Sequence, residues 1–281
     1  MTTTTPHGLV VGYDGSSDAQ NALDWATRTA SLANEPLTVV VATATDDLMP
    51  EHALISGGHL DEVVSAATDS LGQTPLSDAV VETRPGPAVP VLLDAASKAS
   101  ALVVGSRGYG QVAGMLNGSV SQHVARHAAC PVVVVRPSAK PQSRRIVVGV
   151  DGSEASAAAA EFACRRAALT GEDVVVIHGW RDGRATGTTR REIPPGFMER
   201  IAREERLLGA AVADLRQRHP EVRIEAEAIP VVGWRALADA SATASLVVVG
   251  SRGRGAFTGM LLGSVSQQVL QHAECPVAVV R

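Results

Sequence analysis

The sequence predicts an α/β protein made of two tandem doubly wound domains, each a five-stranded parallel sheet with helices on both faces. Three observations carry that expectation. The chain has 281 residues, which at roughly 150 residues per domain argues for two domains. Hydrophobic residues make up 45% of it but aromatics only 3%. Its cores must therefore be built from Val, Leu, Ile and Ala, as in buried parallel strands that read as near-continuous aliphatic runs. Finally, one unit is written twice. Val10-Val-Gly-Tyr-Asp14-Gly-Ser16 returns as Val147-Val-Gly-Val-Asp151-Gly-Ser153, an offset of 137, and residues 102–136 return as 247–281, an offset of 145, with 24 of 35 positions identical. The second unit is thus eight residues longer between those anchors, with the stretch 181–195 and the helix after it as the place for the excess. A polar, proline-bearing linker, 137–143, separates a first domain, 1–136, from a second, 144–281.

The elements follow in order. In the first half, short aliphatic runs predict strands at 9–13, 37–42, 79–83, 102–105 and 132–135. In the second half they fall at 146–150, 174–178, 223–229, 246–250 and 277–280. Between them, 16–33 and 154–169 carry Ala and Leu at helical spacing. Ile201, Leu208, Val212 and Leu215 make a further apolar stripe, with Glu and Arg on the remaining faces. Strand–helix alternation of this kind implies a parallel sheet with right-handed crossovers.

Charge and cysteines narrow the setting. A net charge of −4 offers no basic footprint for DNA or RNA. Cys130, Cys164 and Cys275 form no C-x-x-C pair and are too few for a disulfide framework, which points to a reducing cytoplasm. The first residues lack the basic and apolar regions of a signal peptide. No run of about 18 apolar residues occurs, so no membrane helix is expected.

Two features fall at the carboxyl ends of strands, where ligands bind in folds of this kind. Asp14 and Asp151 close the first strand of each half, each followed by Gly-Ser and a helix. They read either as helix caps or as ligand contacts. The second feature follows the fourth strand. Gly105-Ser-Arg107-Gly108 leads through nine residues to Gly118-Ser119-Val120-Ser121, and its twin runs from Gly250-Ser-Arg252-Gly253 to Gly263-Ser264-Val265-Ser266. Glycines admit a close anion, the free amides of the helix opening at Ser119 or Ser264 favour phosphate, and Arg107 and Arg252 add charge. A loop of about 13 residues is either functional or disordered, and its repetition disfavours disorder. No lysine makes it a Walker A loop, and no G-x-G-x-x-G stands in the first turn.

These motifs, V-x-D-G-S after strand one and G-x2-G-x9-G-S after strand four, resemble the universal stress protein family in its ATP-binding branch, over nearly the whole chain. The resemblance implies strand order 3-2-1-4-5 and pairing of the halves through their last strands, an internal pseudo-dimer that admits a further homodimer. It implies ATP, accompanied by Mg²⁺, in both halves. Asp14 and Asp151 would lie near base and ribose, with Gly12 and Gly149 just before them. The ends of strand two, Thr43 and Gly179, would touch adenine. Gly105, Gly108, Gly118, Ser119 and Ser121, with Gly250, Gly253, Gly263, Ser264 and Ser266, would hold phosphates, and Val104, Val120, Val249 and Val265 would line the pocket. Strand two of the family ends His-Val or His-Ala. This chain has His178-Gly179 in the second half but Ala42-Thr43 in the first, so the first site is expected to be the weaker.

Other chemical-looking residues read as structural. His123 and His127 share a helix face, but Gln268 replaces the first in the second half and no third ligand is evident. Cys130 and Cys275 read as small buried residues, and Trp25, Trp180 and Trp234 as packing. Thr2 to Thr5 reads as a tail. No G-x-S-x-G elbow or H-E-x-x-H helix occurs. The expected function is an ATP-binding regulatory stress protein without efficient catalysis, acting on a protein partner the sequence does not name. The alternatives are a slow ATPase or phosphotransferase, and a nucleotide-free interaction module.

Overall fold

The computed structural model describes residues 8–43, 57–108, 118–138, 142–180, 196–254 and 261–281. The tail 2–5, the middle of each loop motif, part of the linker and the stretch 181–195 lie outside the described residues. The chain divides into two units, Met1–Pro137 and Ser138–Arg281.

In the first unit the order is β1 (Leu9–Gly12), α1 (Ser17–Ala33), β2 (Leu37–Thr43), α2 (Gly57–Gly72), β3 (Ala79–Pro85), α3 (Ala88–Ala95), β4 (Ala101–Gly105), α4 (Ser119–His127) and β5 (Val132–Val135). The second runs β6 (Arg145–Gly149), α5 (Glu154–Thr170), β7 (Asp173–Gly179), α6 (Phe197–Arg218), β8 (Ile224–Ile229), α7 (Gly233–Ser241), β9 (Leu246–Gly250), α8 (Ser264–His272) and β10 (Val277–Val280). Within each unit all pairings are parallel. The spatial order is β3-β2-β1-β4-β5 in the first and β8-β7-β6-β9-β10 in the second, the order that the family resemblance implies.

The aliphatic runs become strands because both faces are covered: β4, β5, β9 and β10 are buried almost throughout, whereas the edge strand β3 alternates with exposed positions. Because the winding reverses after β3, crossovers of one hand, right-handed as the rule for parallel strands requires, put α1 and α2 on one face and α3 and α4 on the other. The stripe on α6 turns inward as predicted at Leu208, Val212 and Leu215. At 22 residues against 16 for α2, α6 absorbs part of the second unit's extra length. Cys130, Cys164 and Cys275 are free and buried. Burial, with the nearby Glu161 carboxylate adding to it, pushes the Cys164 thiol up to about 11. No helix among the described residues is long and apolar enough to cross a membrane.

Candidate functional site

Where the winding reverses, between β1 and β4 and between β6 and β9, the strand ends splay and leave a cleft. One cavity of about 130 Å³ opens there in the first unit and one of about 340 Å³ in the second. They are walled by equivalent residues: each position around the first has its repeat partner around the second, at the offset of 137 before the extra residues and 145 after them.

The first cavity gathers Gly12, Asp14, Val104, Gly105, Arg107, Gly108, Gly118, Ser119, Val120 and Ser121. The second gathers all eleven residues singled out in that half: Gly149, Asp151, Gly179, Val249, Gly250, Arg252, Gly253, Gly263, Ser264, Val265 and Ser266. Thr43 is the exception. The ladder pairs Gly12 with Val40 and Gly149 with Ile177, which makes Ala42, not Thr43, the equivalent of Gly179. Ala42 lines the cavity, while the Thr43 carbonyl accepts from Gly86 N–H at 2.8 Å. Matching strand ends misleads because β7 starts one residue earlier, relative to the repeat, than β2. Sequence reasoning also missed Ala88 and Leu92 of α3 and their partners Gly233 and Leu237 of α7, which complete the walls of the two cavities.

Asp14 and Asp151 are not the helix caps. Ser16 and Ser153 are, their hydroxyls accepting from Ala19 N–H and Ser156 N–H at 3.2 Å. Each aspartate sits two residues earlier and accepts the cap serine's own N–H at 3.0 Å. The intervening Gly15 and Gly152 have φ of +80° and +78°, a conformation that explains glycine there.

Asp151 is tied down further: its Oδ1 takes the Ser153 hydroxyl at 2.6 Å and its Oδ2 takes Arg254 N–H at 2.9 Å. Burial pushes its pKa up, but hydrogen bonds from the Ser153 hydroxyl, the Arg254 and Ser153 amides and Ser156 outweigh burial and hold it below the ordinary 3.8. Because folding lowers this pKa, the carboxylate stabilises the second unit fully above that value and loses its contribution as pH falls through the folded-state pKa. Denaturation of Asp151→Asn against the parent should show a stability gap at neutral pH that closes as the pH falls below the ordinary 3.8 and through the lowered folded-state value. A gap independent of pH would contradict the assignment.

The loop ends are fastened by the chain itself. Gly118 N–H donates to Ser106 O, and Gly263 N–H to Ser251 O, both at 2.7 Å. Ser121 and Ser266 are buried and donate back to the Gly118 and Gly263 carbonyls at 2.9 and 3.0 Å. Their hydroxyl protons serve the loop's closure, whereas Ser119 and Ser264 stay exposed at the helix start. Gly105 and Gly250 let the first turns of α1 and α5 pack on the strand ends, since a β-carbon would lie 2.7 Å from Asp18 C and 2.8 Å from Ala155 C. Gly108 and Gly253 make room for the aspartates: a β-carbon would stand 2.7 Å from Asp14 Oδ2 and 2.3 Å from Asp151 Oδ2. Gly118 and Gly263, in contrast, have φ of −70° and −73°, so replacing them brings no φ strain.

His123 and His127 each point Nδ1 at the carbonyl four residues back, at 2.7 and 2.8 Å. Among the described residues no group of three or more His, Cys, Asp or Glu is placed to hold a metal.

Two doubly wound α/β domains, each with a glycine-walled cleft at its switch point, define a tandem α/β protein with two candidate sites. The universal stress protein family model matches residues 7–136 and again 142–281, and the chain belongs to that family. The Mycobacterium tuberculosis universal stress protein Rv2623 is 37% identical over 292 residues, covering 98% of this chain and 96% of that protein. Universal stress protein Rv1996 of the same species is 34% identical over 301 residues, covering 98% and 95%. A solved universal stress protein from Archaeoglobus fulgidus shares the fold over 99% of both chains, with a TM-score of 0.64 at 20% identity.

Proposed function

We propose that the chain binds two ATP molecules, one in each cavity, and works as a nucleotide-dependent regulator without efficient catalysis. The observation that carries this reading is the matched pair of clefts, each running from the Asp at the end of β1 or β6 to the amino end of α4 or α8. The residues fit the ligand. Apolar side chains, Val40, Val104 and Leu92 or Ile177, Val249 and Leu237, flank a slot for a base. The aspartate offers acceptors for ribose hydroxyls or an exocyclic amine. The unpaired first-turn amides of the nine-residue helices face the polyphosphate end. Mg²⁺ is proposed only as the companion of the phosphates, where it would neutralise their charge.

Turnover is expected to be slow because neither loop motif supplies a residue placed as a base for an attacking water, and Asp151 makes a poor one. Asp151 already accepts hydrogen bonds on both oxygens, and a general base needs a pKa nearer the working pH. Denaturing the purified protein and identifying what it releases is the test, followed by a steady-state assay. ATP released with turnover well below about 1 s⁻¹ supports the reading. Released ADP with slow turnover favours the slow ATPase, and turnover of about 1 s⁻¹ or above overturns the reading. An empty protein that takes up no nucleotide on titration favours the interaction module. The pseudo-dimer through the last strands is likewise a proposal, resting on the family resemblance. Proline at Val134 would remove a ladder donor, and thermal unfolding that is unchanged by it would speak against a paired last strand.

A further inference from the structure

The two clefts share their walls but differ in one charged contact at the phosphate end. In the first unit Asp18, in the opening turn of α1, is only 4% exposed and gathers the stem of the loop. Its Oδ2 accepts the Ser106 hydroxyl at 2.6 Å, Arg107 N–H at 3.0 Å and Arg107 Nε–H at 3.2 Å. Arg107 also lines the cavity. Its guanidinium, the cation that the motif supplies at the phosphate end, is therefore paired with a buried acid. In the second unit Ser251 and Arg252 repeat Ser106 and Arg107, but Ala155 stands where Asp18 does. Arg252 lines the larger cavity and meets no acid at that place.

We propose that Asp18 is a positioning residue that weakens ATP binding at the first site by neutralising Arg107, so that the second site, with Ala155 in its place, is the tighter of the two. This rests on the ATP reading above and deepens it. A buried carboxylate beside an arginine cancels most of the field that the arginine would project onto a phosphate, and adds a repelling charge of its own. It also fixes the loop stem, which the second site holds without an acid at that place, through the Gly263–Ser251 bond, the Ser266 and Ser153 hydroxyls on the Ser251 and Arg252 carbonyls, and the contact of Arg254 with Asp151. The effect is electrostatic, so it must act on the phosphates and not on the nucleoside.

The test uses the full chain with one cavity filled. A β-carbon on Gly233 would have nothing nearer than 3.7 Å, so Gly233→Phe places a ring in the second cavity, and Ala88→Phe does the same in the first. In the Gly233→Phe chain, Asp18→Asn keeps an oxygen for the Ser106 hydroxyl and the Arg107 amide while removing the charge. Calorimetry should then show ATP binding tightened roughly tenfold, with adenosine unchanged. In the Ala88→Phe chain, Ala155→Asp should weaken ATP roughly tenfold and again spare adenosine. An acid in that first turn suits the helix, so this arm stands even where Asp18→Asn fails to fold. Equal effects on ATP and adenosine, or no effect of a folded variant, overturn the role of Asp18 while leaving ATP binding intact. A parent chain that binds no ATP in either cavity overturns the ATP reading itself.

Discussion

Alanine at Gly179 is expected to cost the second unit about 3 kcal/mol of stability, an overpacking effect at the upper end of the usual range. Its β-carbon would lie 2.4 Å from Gly233 Cα, 2.8 Å from Gly233 N and 3.1 Å from Val231 O. All three are backbone atoms, so no side-chain rotation relieves the crowding and the start of α7 must move. Gly250→Ala should be comparably severe, because its β-carbon would sit 2.8–2.9 Å from Ala155 C and O and Ser156 N, in the first turn of α5. Gly233→Ala is the control: its β-carbon has room, and the first unit already carries Ala88 there. The first unit also has Ala42 at the place of Gly179, so its chain must pass farther from the strand end. Denaturant unfolding followed by probes in each unit measures this, since a two-unit chain need not unfold in one step. The first unit's transition should stay put while the second shifts. A Gly179→Ala change within about 0.5 kcal/mol of the parent would show that α7 yields freely.

The strands were legible because both faces of each sheet are covered. Continuous valine runs then announce themselves, and predicted and observed strands agree within two residues at every end. The cavities were legible for a different reason: the loop glycines and the Asp-Gly-Ser turn are written twice, and chance does not repeat a motif with its spacing. What escaped were residues brought in by other elements. Ala88 and Leu92 look like ordinary helix residues until β3 and β4 carry α3 across the strand ends. Carrying the offset of 145 back from the loop would have matched them with Gly233 and Leu237. The confusion of Thr43 with Ala42 has the same root, because the end of a strand is soft but its ladder register is not. Asp18 was hidden as one more acid in a helix's first turn, where the dipole favours acids anyway. Only its burial against Ser106 and Arg107 shows a second use.

Alanine at Gly253 is expected to weaken ATP binding at the proposed second site roughly ten- to 100-fold, or about 1.5–3 kcal/mol, the worth of a hydrogen bond to a charged group. The added β-carbon would lie 2.3 Å from Asp151 Oδ2, the oxygen that accepts Arg254 N–H at 2.9 Å. Either the loop stem backs away and loses that bond, or the carboxylate swings and gives up the Ser153 contacts at 3.0 and 2.6 Å. In both cases the acceptor assigned to the nucleoside end and the loop assigned to the phosphates no longer keep their spacing. Gly108→Ala should do the same to the first site more mildly, at 2.7 Å from Asp14 Oδ2. Gly263→Ala is the contrast, although it stands in the same motif. Its backbone is one that any residue adopts, at φ −73°, and its β-carbon would meet Ser251 O, Arg252 Cα and Ser266 Oγ at 3.3–3.4 Å, a contact that small shifts relieve. Calorimetry on nucleotide-stripped protein should therefore find two ATP per parent chain and a selective loss at the second site in Gly253→Ala. Gly263→Ala should stay within a few-fold of the parent. If Gly263→Ala abolishes the site while Gly253→Ala leaves it intact, the phosphates lie against the helix start more closely than this geometry allows, and the aspartate is not the element that sets the fit.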